Sequence, residues 1–417
     1  MENAIPYAIE GEAGRYSFIT HNTTLANGAI FNSSSDFFQP LTGKEQFKTA
    51  GFKEVSLIYG CIEQSYDKTA NLMNRIRYQS EATPVRTMCH YAVSEGRKID
   101  DYLTNLSNTI LTNNGFDLNG QPSCTVKYIQ STETDNCQLE NIEQALHECV
   151  CDDISYADLQ TNQLHYEDIA KTVNISIDDV GVTKQKEHRK PPHNLKKKKE
   201  RVQNTVAHIQ YEDKVYVITG SSLFSTLKLI LSFLLNNDLL KHHLVFFTDG
   251  QRSLKSMIFS FFQWRNITLI LDWYHITKKI KELLSMGLKN KIFKVEVAKT
   301  LEHLLWNGCV DRTIAYLDNI DEKEIKNMKV ITDLKGYFER NRKHIPCYSV
   351  RKELRLKNSS NSVEKMNDNL VAQRQKNNGT SWSVNGSTAL ASISALKNNK
   401  EYKHWFSHKE IKLKLSA

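Results

Sequence analysis

At 417 residues the chain has room for two or three domains, and 40% hydrophobic with 24% charged residues is ordinary globular material. The formal net charge of +8 favours a polyanionic partner without proving one. Glu2, Pro6 and Glu10 interrupt any apolar leader, and the most apolar helix candidate, Leu223 to Leu235, contains Lys228 and is too short for a bilayer. These features argue against secretion and membrane insertion and predict a soluble, intracellular protein. The eight cysteines include no CxxC pair and read as thiols of a reducing compartment. His147, Cys149 and Cys151 lie close together, but no second ligand pair stands at zinc-site spacing.

Residues 1–50 show no lasting periodicity and read as an arm with short strands, without an assigned function. Over 51–110 three short helices are predicted. Val55, Ile58 and Ile62 share one helical face, Tyr66 to Arg77 carries Ala70, Met73 and Ile76, and Val85, Met88, Cys89 and Ala92 form a third stripe. Thr83 suits the N-cap of that third helix, Pro84 its first position, and Gly96 its end. A tight turn before the last of three helices is the layout of a DNA-reading helix-turn-helix, equally that of a plain three-helix unit. Its outward face would offer Arg86, Thr87 and His90 to a groove. Residues 111–170 open on a turn-rich stretch and continue as an acidic, partly helical segment, read together as a linker and solvated connector.

The core is expected over 171–275. VNISIDDVGVTKQ alternates and holds Asp178 and Asp179, and VQNTVAHIQ and KVYVITGSS flank the turn Tyr211-Glu212-Asp213. Between the first two of these strands, Lys184 to Arg201 holds nine Lys/Arg against two Glu, including Lys196, Lys197, Lys198, Lys199 and Arg201, and suits phosphate contact. A helix over Leu223 to Leu235 follows. The apolar run Leu244 to Phe247 then stops at Thr248-Asp249-Gly250, and Ile267 to Leu271 stops at Asp272. Strand, strand, strand, helix, strand, helix, strand is the order of an RNase H-like core, in which the first and fourth strands are neighbours. Asp178 and Asp249 would then face one another at strand ends, where α/β sheets place their sites. Two close carboxylates repel unless a hard cation such as Mg²⁺ lies between them.

Residues 276–345 are almost continuously helical in pattern and read as an all-α insertion. In 346–417, Ser359 to Ser362 offer caps for a helix whose apolar edge is Val363, Met366 and Leu370, with Glu364 beside that edge. Such a helix could deliver Glu364 to Asp178 and Asp249, although a Glu in a first turn is also simply a good dipole partner.

The tail resembles the DDE transposases of bacterial insertion sequences. Tyr337-Phe338, Asn341-Arg342, Val363-Glu364, Arg374, Lys376, Gly379, Trp382-Ser383 and Gly386 are similar to the signature around their catalytic Glu. DDVGV at 178–182 and TDG at 248–250 resemble their first and second Asp motifs, LDWYH at 271–275 an element after the fifth core strand, and QSYDKTANLMNRIR their helix-turn-helix. The chain departs from that pattern at Asp179, where the family usually has Gly, and at Asn361-Ser362. The resemblance implies metal-dependent DNA end cleavage and strand transfer by Asp178, Asp249 and Glu364 holding two Mg²⁺ or Mn²⁺ ions. It gives Asp179, Asp272 and His275 supporting places, with Arg374, Lys376 and Trp382 near DNA. It further implies double-stranded DNA ends and target as partners, a homodimer or higher oligomer on DNA, and a cytoplasmic, nucleoid-associated location.

Overall fold

The computed structural model describes residues 4–11, 14–21, 23–31, 46–76, 83–123, 137–160, 166–186, 200–359, 371–376 and 380–415. The chain divides into two compact units. One comprises Met1–Asn105, Val180–Asn204 and Asp368–Lys412, the other Leu106–Asp179, Thr205–Asn367 and Leu413–Ala417.

In the first unit, β1 (Ala4–Gly11) and β2 (Gly14–His21) form an antiparallel hairpin of two eight-residue strands. Strands β3 (Thr23–Thr24) and β4 (Ile30–Phe31) make a small ribbon, and β5 (Gln46–Lys48) runs parallel to β1. The hairpin is longer than the short strands expected there. Helix Ala50–Ser56 follows, capped by the Thr49 hydroxyl, which accepts the Phe52 amide at 3.1 Å. It passes into a π-turn, Leu57–Cys61, and helix Tyr66–Ile76 comes next.

The third helix runs over Val85–Asn113 and does not stop at Gly96. The expected terminator is a packing notch instead: a Cβ on Gly96 would lie 2.4 Å from the Cβ of Ala389, in helix Val384–Asn398. A mid-helix glycine costs about 1 kcal/mol, and here it permits an approach that no side chain would. Met88 and Ala92 are buried as predicted, while Val85, from the same stripe, is exposed.

The second unit holds most of a five-stranded mixed sheet in the order β10-β9-β6-β7-β8. Its strands are β6 (Thr172–Thr183), β7 (Arg201–Tyr211), β8 (Lys214–Gly220), β9 (His243–Thr248) and β10 (Thr268–Leu271). Strands β6, β9 and β10 are mutually parallel, and β7 and β8 are antiparallel across the tight turn at Glu212, whose φ is +51°. Four consecutive buried residues, Leu244 to Phe247, make β9 the apolar centre of the parallel part. Helix Leu223–Asn236 starts at a capping box built by Ser222 and Ser225, and Phe233 lies against Tyr216 of β8, ring centroids 4.5 Å apart.

The all-helical pattern after β10 is realised as helices Trp273–Gly287, Lys291–Trp306, Val310–Asp318 and Met328–Asn341. Their apolar faces share one cluster with Val245, Phe247, Ile270 and Leu271 of the sheet.

The stretch expected as linker and connector is part of this packing. Phe116 is buried against Trp264 (5.1 Å between ring centroids), and Gln121 donates to the Phe261 carbonyl at 3.0 Å. Helix Leu139–Cys149 buries Ala145 and Leu146 in a cluster with Cys347 and Val350. Arg351 and Glu167, each about 1% exposed, form a bidentate ion pair at 2.6 and 2.8 Å beside that cluster. Among the described residues no helix is long and apolar enough to cross a membrane.

Candidate functional site

Strands β9 and β10 end on carboxylates, and β6, which continues to Thr183, carries Asp178 just beyond its pairing with β9. The β6–β9 pairing runs to Ser176 beside Phe247, and Asp178 and Asp249 each stand two residues further on. The β9–β10 pairing runs to Thr248 beside Leu271, and Asp249 and Asp272 each follow by one. Strand alternation puts Asp178 on the face of Ser176 and Asp179 on the other. The Asp179 carboxylate accepts the Thr205 hydroxyl of β7 at 2.7 Å, whereas Asp178 is half-buried and its Oδ1 accepts the Asp179 amide at 2.8 Å. Of the two adjacent aspartates, the register therefore favours Asp178 as the partner of Asp249.

The turn after β9 is built to hold Asp249 in place. Its Oδ1 accepts the Gln251 amide at 2.8 Å, and its carbonyl accepts the Tyr337 hydroxyl at 3.2 Å. Gly250 follows at φ +83°, where a Cβ would meet Leu271 at 2.7 Å and the Asn341 side chain at 3.1 Å. Lys255 in turn donates to Asn341 Oδ1 at 2.6 Å. Burial first, then the charges of Asp249 and Asp272, push the Tyr337 phenol well above its usual range, so the hydroxyl stays a donor.

The end of β10 is different. Asp272 is about 1% exposed and is the N-cap of helix Trp273–Gly287, its Oδ1 accepting the Tyr274 amide at 2.9 Å and the Ser359 hydroxyl at 3.2 Å. His275, in the first turn of that helix, is half-buried with its ring edge-on to Tyr274. The Tyr348 hydroxyl, fully buried, donates to the Leu271 carbonyl.

The remaining predicted residues fall in several places. Glu364 and Lys196, Lys197, Lys198 and Lys199 lie outside the described residues. Arg201 opens β7 and is exposed, and the hairpin base beside it is closed by Lys184 and Glu200, 2.8 Å apart. Arg86 and His90 are exposed on the third helix, with Thr87 half-buried between them.

Arg374 and Trp382 are packing residues. The Arg374 guanidinium lies 5.2 Å from the Tyr66 ring centroid and 4.8 Å from that of Trp382, and its Nε donates to the Cys61 carbonyl at 2.9 Å. Trp382 is buried, with its indole N–H donating to the Gln375 carbonyl at 3.0 Å. Both side chains pack inside their own unit, Trp382 buried and Arg374 half-buried. Lys376 nearby is exposed.

Among the described residues, one group of three metal-capable side chains brings its donor atoms within 4.8 Å of one another: Cys151, Asp153 and His303. Of the His147, Cys149 and Cys151 run, only Cys151 takes part. His147 packs on Tyr156 at 4.9 Å, and burial pushes the Cys149 thiol up to about 11. No sequence spacing could have announced His303, because its partners come from a turn 150 residues earlier.

The fold is mixed α/β, with aspartates just beyond the shared pairings of three adjacent parallel strands. No protein-family model, curated protein or solved structure matches the chain.

Proposed function

We propose that the chain is a DDE-type DNA transposase, that its sheet is an RNase H-like core, and that Asp178, Asp249 and Glu364 are the catalytic carboxylates. The observation that carries this reading is the register of β6 and β9, which leaves Asp178 and Asp249 two residues beyond the same pair. The sheet order β10-β9-β6-β7-β8, with its parallel and antiparallel parts, supports the same core.

The donor set fits Mg²⁺ or Mn²⁺: both aspartates are half-buried, offer only hard oxygen ligands and stand just past the pairing of neighbouring strands. Asp178, Asp249 and Glu364 would hold two such ions. When bound, these would supply Lewis-acid activation of a water or a 3′-hydroxyl and stabilise the leaving oxygen. The chain's own contribution is positional. The Asp179 and Gln251 amides each fix one carboxylate oxygen, and Tyr337 anchors the Asp249 backbone. The basic segment from Lys196 to Arg201 would hold DNA phosphates, and Arg86, Thr87 and His90 would face a groove. Dimerisation on two DNA ends and a nucleoid-associated, cytoplasmic location belong to the same proposal.

The test is incubation with Mn²⁺ and DNA carrying the sequences that flank the chain's own gene, beside Asp249→Ala and Glu364→Ala. Cleavage and joining by wild type alone is the expected result. Binding of the ends by all three proteins with cutting by none would overturn it in favour of a catalytically silent DNA-binding descendant. Metal-dependent cutting without joining would replace transposition by a nuclease activity.

A further inference from the structure

We propose that Cys151, Asp153 and His303 form a binding site for a divalent ion of the zinc class, with water as a fourth ligand. The ion would staple the turn at 151–154 to helix Lys291–Trp306.

The Cys151 thiol lies 3.3 Å from Asp153 Oδ1, and His303 Nε2 lies 3.1 and 3.0 Å from the two Asp153 oxygens. Metal–ligand bonds of about 2.0–2.3 Å in a tetrahedron give ligand–ligand edges of roughly 3.3–3.8 Å. The donor atoms therefore already stand near the separations of a ligand set. A thiolate, an imidazole and a carboxylate together select zinc-like ions over Mg²⁺ or Ca²⁺, which take all-oxygen shells. All three side chains are exposed, so solvent can complete the coordination.

The frame around the group is fixed without the ion. Cys151 and Ile154 exchange both backbone hydrogen bonds at 3.1 Å, which closes the turn. Arg312 donates to the Asp153 carbonyl at 2.7 Å, leaving the carboxylate to face His303 and the thiol. His303 stands in the last turn of its helix, so an ion there would tie two segments that hydrophobic packing alone joins elsewhere.

The proposal stands independently of the transposase reading. The experiment is titration of the metal-stripped full chain with Co²⁺, read by absorbance. A single equivalent should produce a near-ultraviolet sulfur-to-cobalt band and tetrahedral ligand-field bands, both bleached by Zn²⁺. Cys151→Ser should abolish the sulfur band. Asp153→Asn and His303→Asn should weaken binding by more than the roughly 10–100-fold that loss of an outer-shell partner costs, and Arg312→Gln should fall within that range. Cys149→Ser should leave the titration unchanged, and Asp249→Ala should leave the sulfur band unchanged, which separates this site from the aspartates of the sheet. Because the three ligands are exposed, each of the three metal-free ligand variants should melt with metal-free wild type, and Zn²⁺ should raise the melting temperature of wild type but not of those three. Absence of the sulfur band, its survival in Cys151→Ser, or an equal Zn²⁺ shift in His303→Asn would overturn the proposal.

Discussion

Asp249 and Asp272 follow neighbouring parallel strands at the same register, yet one is half-buried and poised in a turn while the other is sealed. The difference lies in what comes next. After Asp272 the helix begins at once with Trp273, so the carboxylate folds back onto the first amides and is covered by Ser359. After Asp249, Gly250 at φ +83° and Gln251 intervene before the helix at Arg252. The Asp249 carboxylate therefore bonds the Gln251 amide ahead of the helix, and not one of the helix's own amides. A carboxylate at a strand end thus becomes a cap or a candidate ligand according to how soon the helix starts. Each strand end also has its own tyrosine brace, Tyr337 on the Asp249 carbonyl and Tyr348 on the Leu271 carbonyl.

The comparison breaks most sharply under paired alanine substitutions. Asp249→Ala should reduce metal-dependent end cleavage to background while changing unfolding free energy by less than about 0.5 kcal/mol. Asp272→Ala should do the reverse in stability, costing about 1–2 kcal/mol for the lost cap. Denaturant unfolding and a nicking assay on the same preparations separate the two. If Asp272→Ala proved neutral to folding and abolished cleavage, the roles given to the two strand ends would be exchanged. Gly250→Ala tests the turn itself. A left-handed non-glycine residue costs about 1–3 kcal/mol, and the added Cβ also overlaps Leu271 at 2.7 Å. The expected outcome is a lower denaturation midpoint together with weakened cleavage.

The tyrosine braces give a smaller, graded contrast. Tyr348→Phe removes a fully buried donor from the Leu271 carbonyl and should cost about 1–3 kcal/mol. Tyr337→Phe acts on the half-buried Asp249, whose carbonyl can turn to water, so about 0.5–1 kcal/mol is expected. Unfolding of the two variants under identical conditions checks the order, and equal losses would show that the two ends are equally closed.

Much of this was legible in the residues. The strands of the sheet announce themselves by apolar runs that stop on polar residues, and their order followed from the intervening helix. The cap at Asp272 was legible in principle, since an Asp directly before a helical stretch is an N-cap signal. The errors came from contacts distant in sequence. Gly96 looked like a helix end because nothing near it reveals Ala389. Residues 111–123 looked like a linker because turn chemistry does not encode that Phe116 meets Trp264. The partnership of Cys151 with His303 has no periodicity or spacing at all.

The last contrast concerns acid, and it belongs to the β10 side of the comparison. His344 donates from Nδ1 to the Leu269 carbonyl at 3.2 Å and packs on Phe259 at 5.9 Å. Burial first, then Lys255, pushes its ring down to about 4, with the Leu269 carbonyl pulling the other way and Lys343 adding to the depression. An unfolded histidine titrates near about 6.5. Below that pH the unfolded chain takes up a proton that the folded ring refuses until about 4, so acid favours unfolding. The stability contributed by this group is fully present above about 6.5 and is lost as pH falls towards 4. His344→Gln keeps a polar group near the Leu269 carbonyl and cannot charge. Its melting temperature should fall less than that of wild type between pH 6.5 and 4, with the two curves parallel above that window. Parallel curves throughout would mean that the ring protonates as readily in the folded chain, and that the β10 end is more open to solvent than its packing implies.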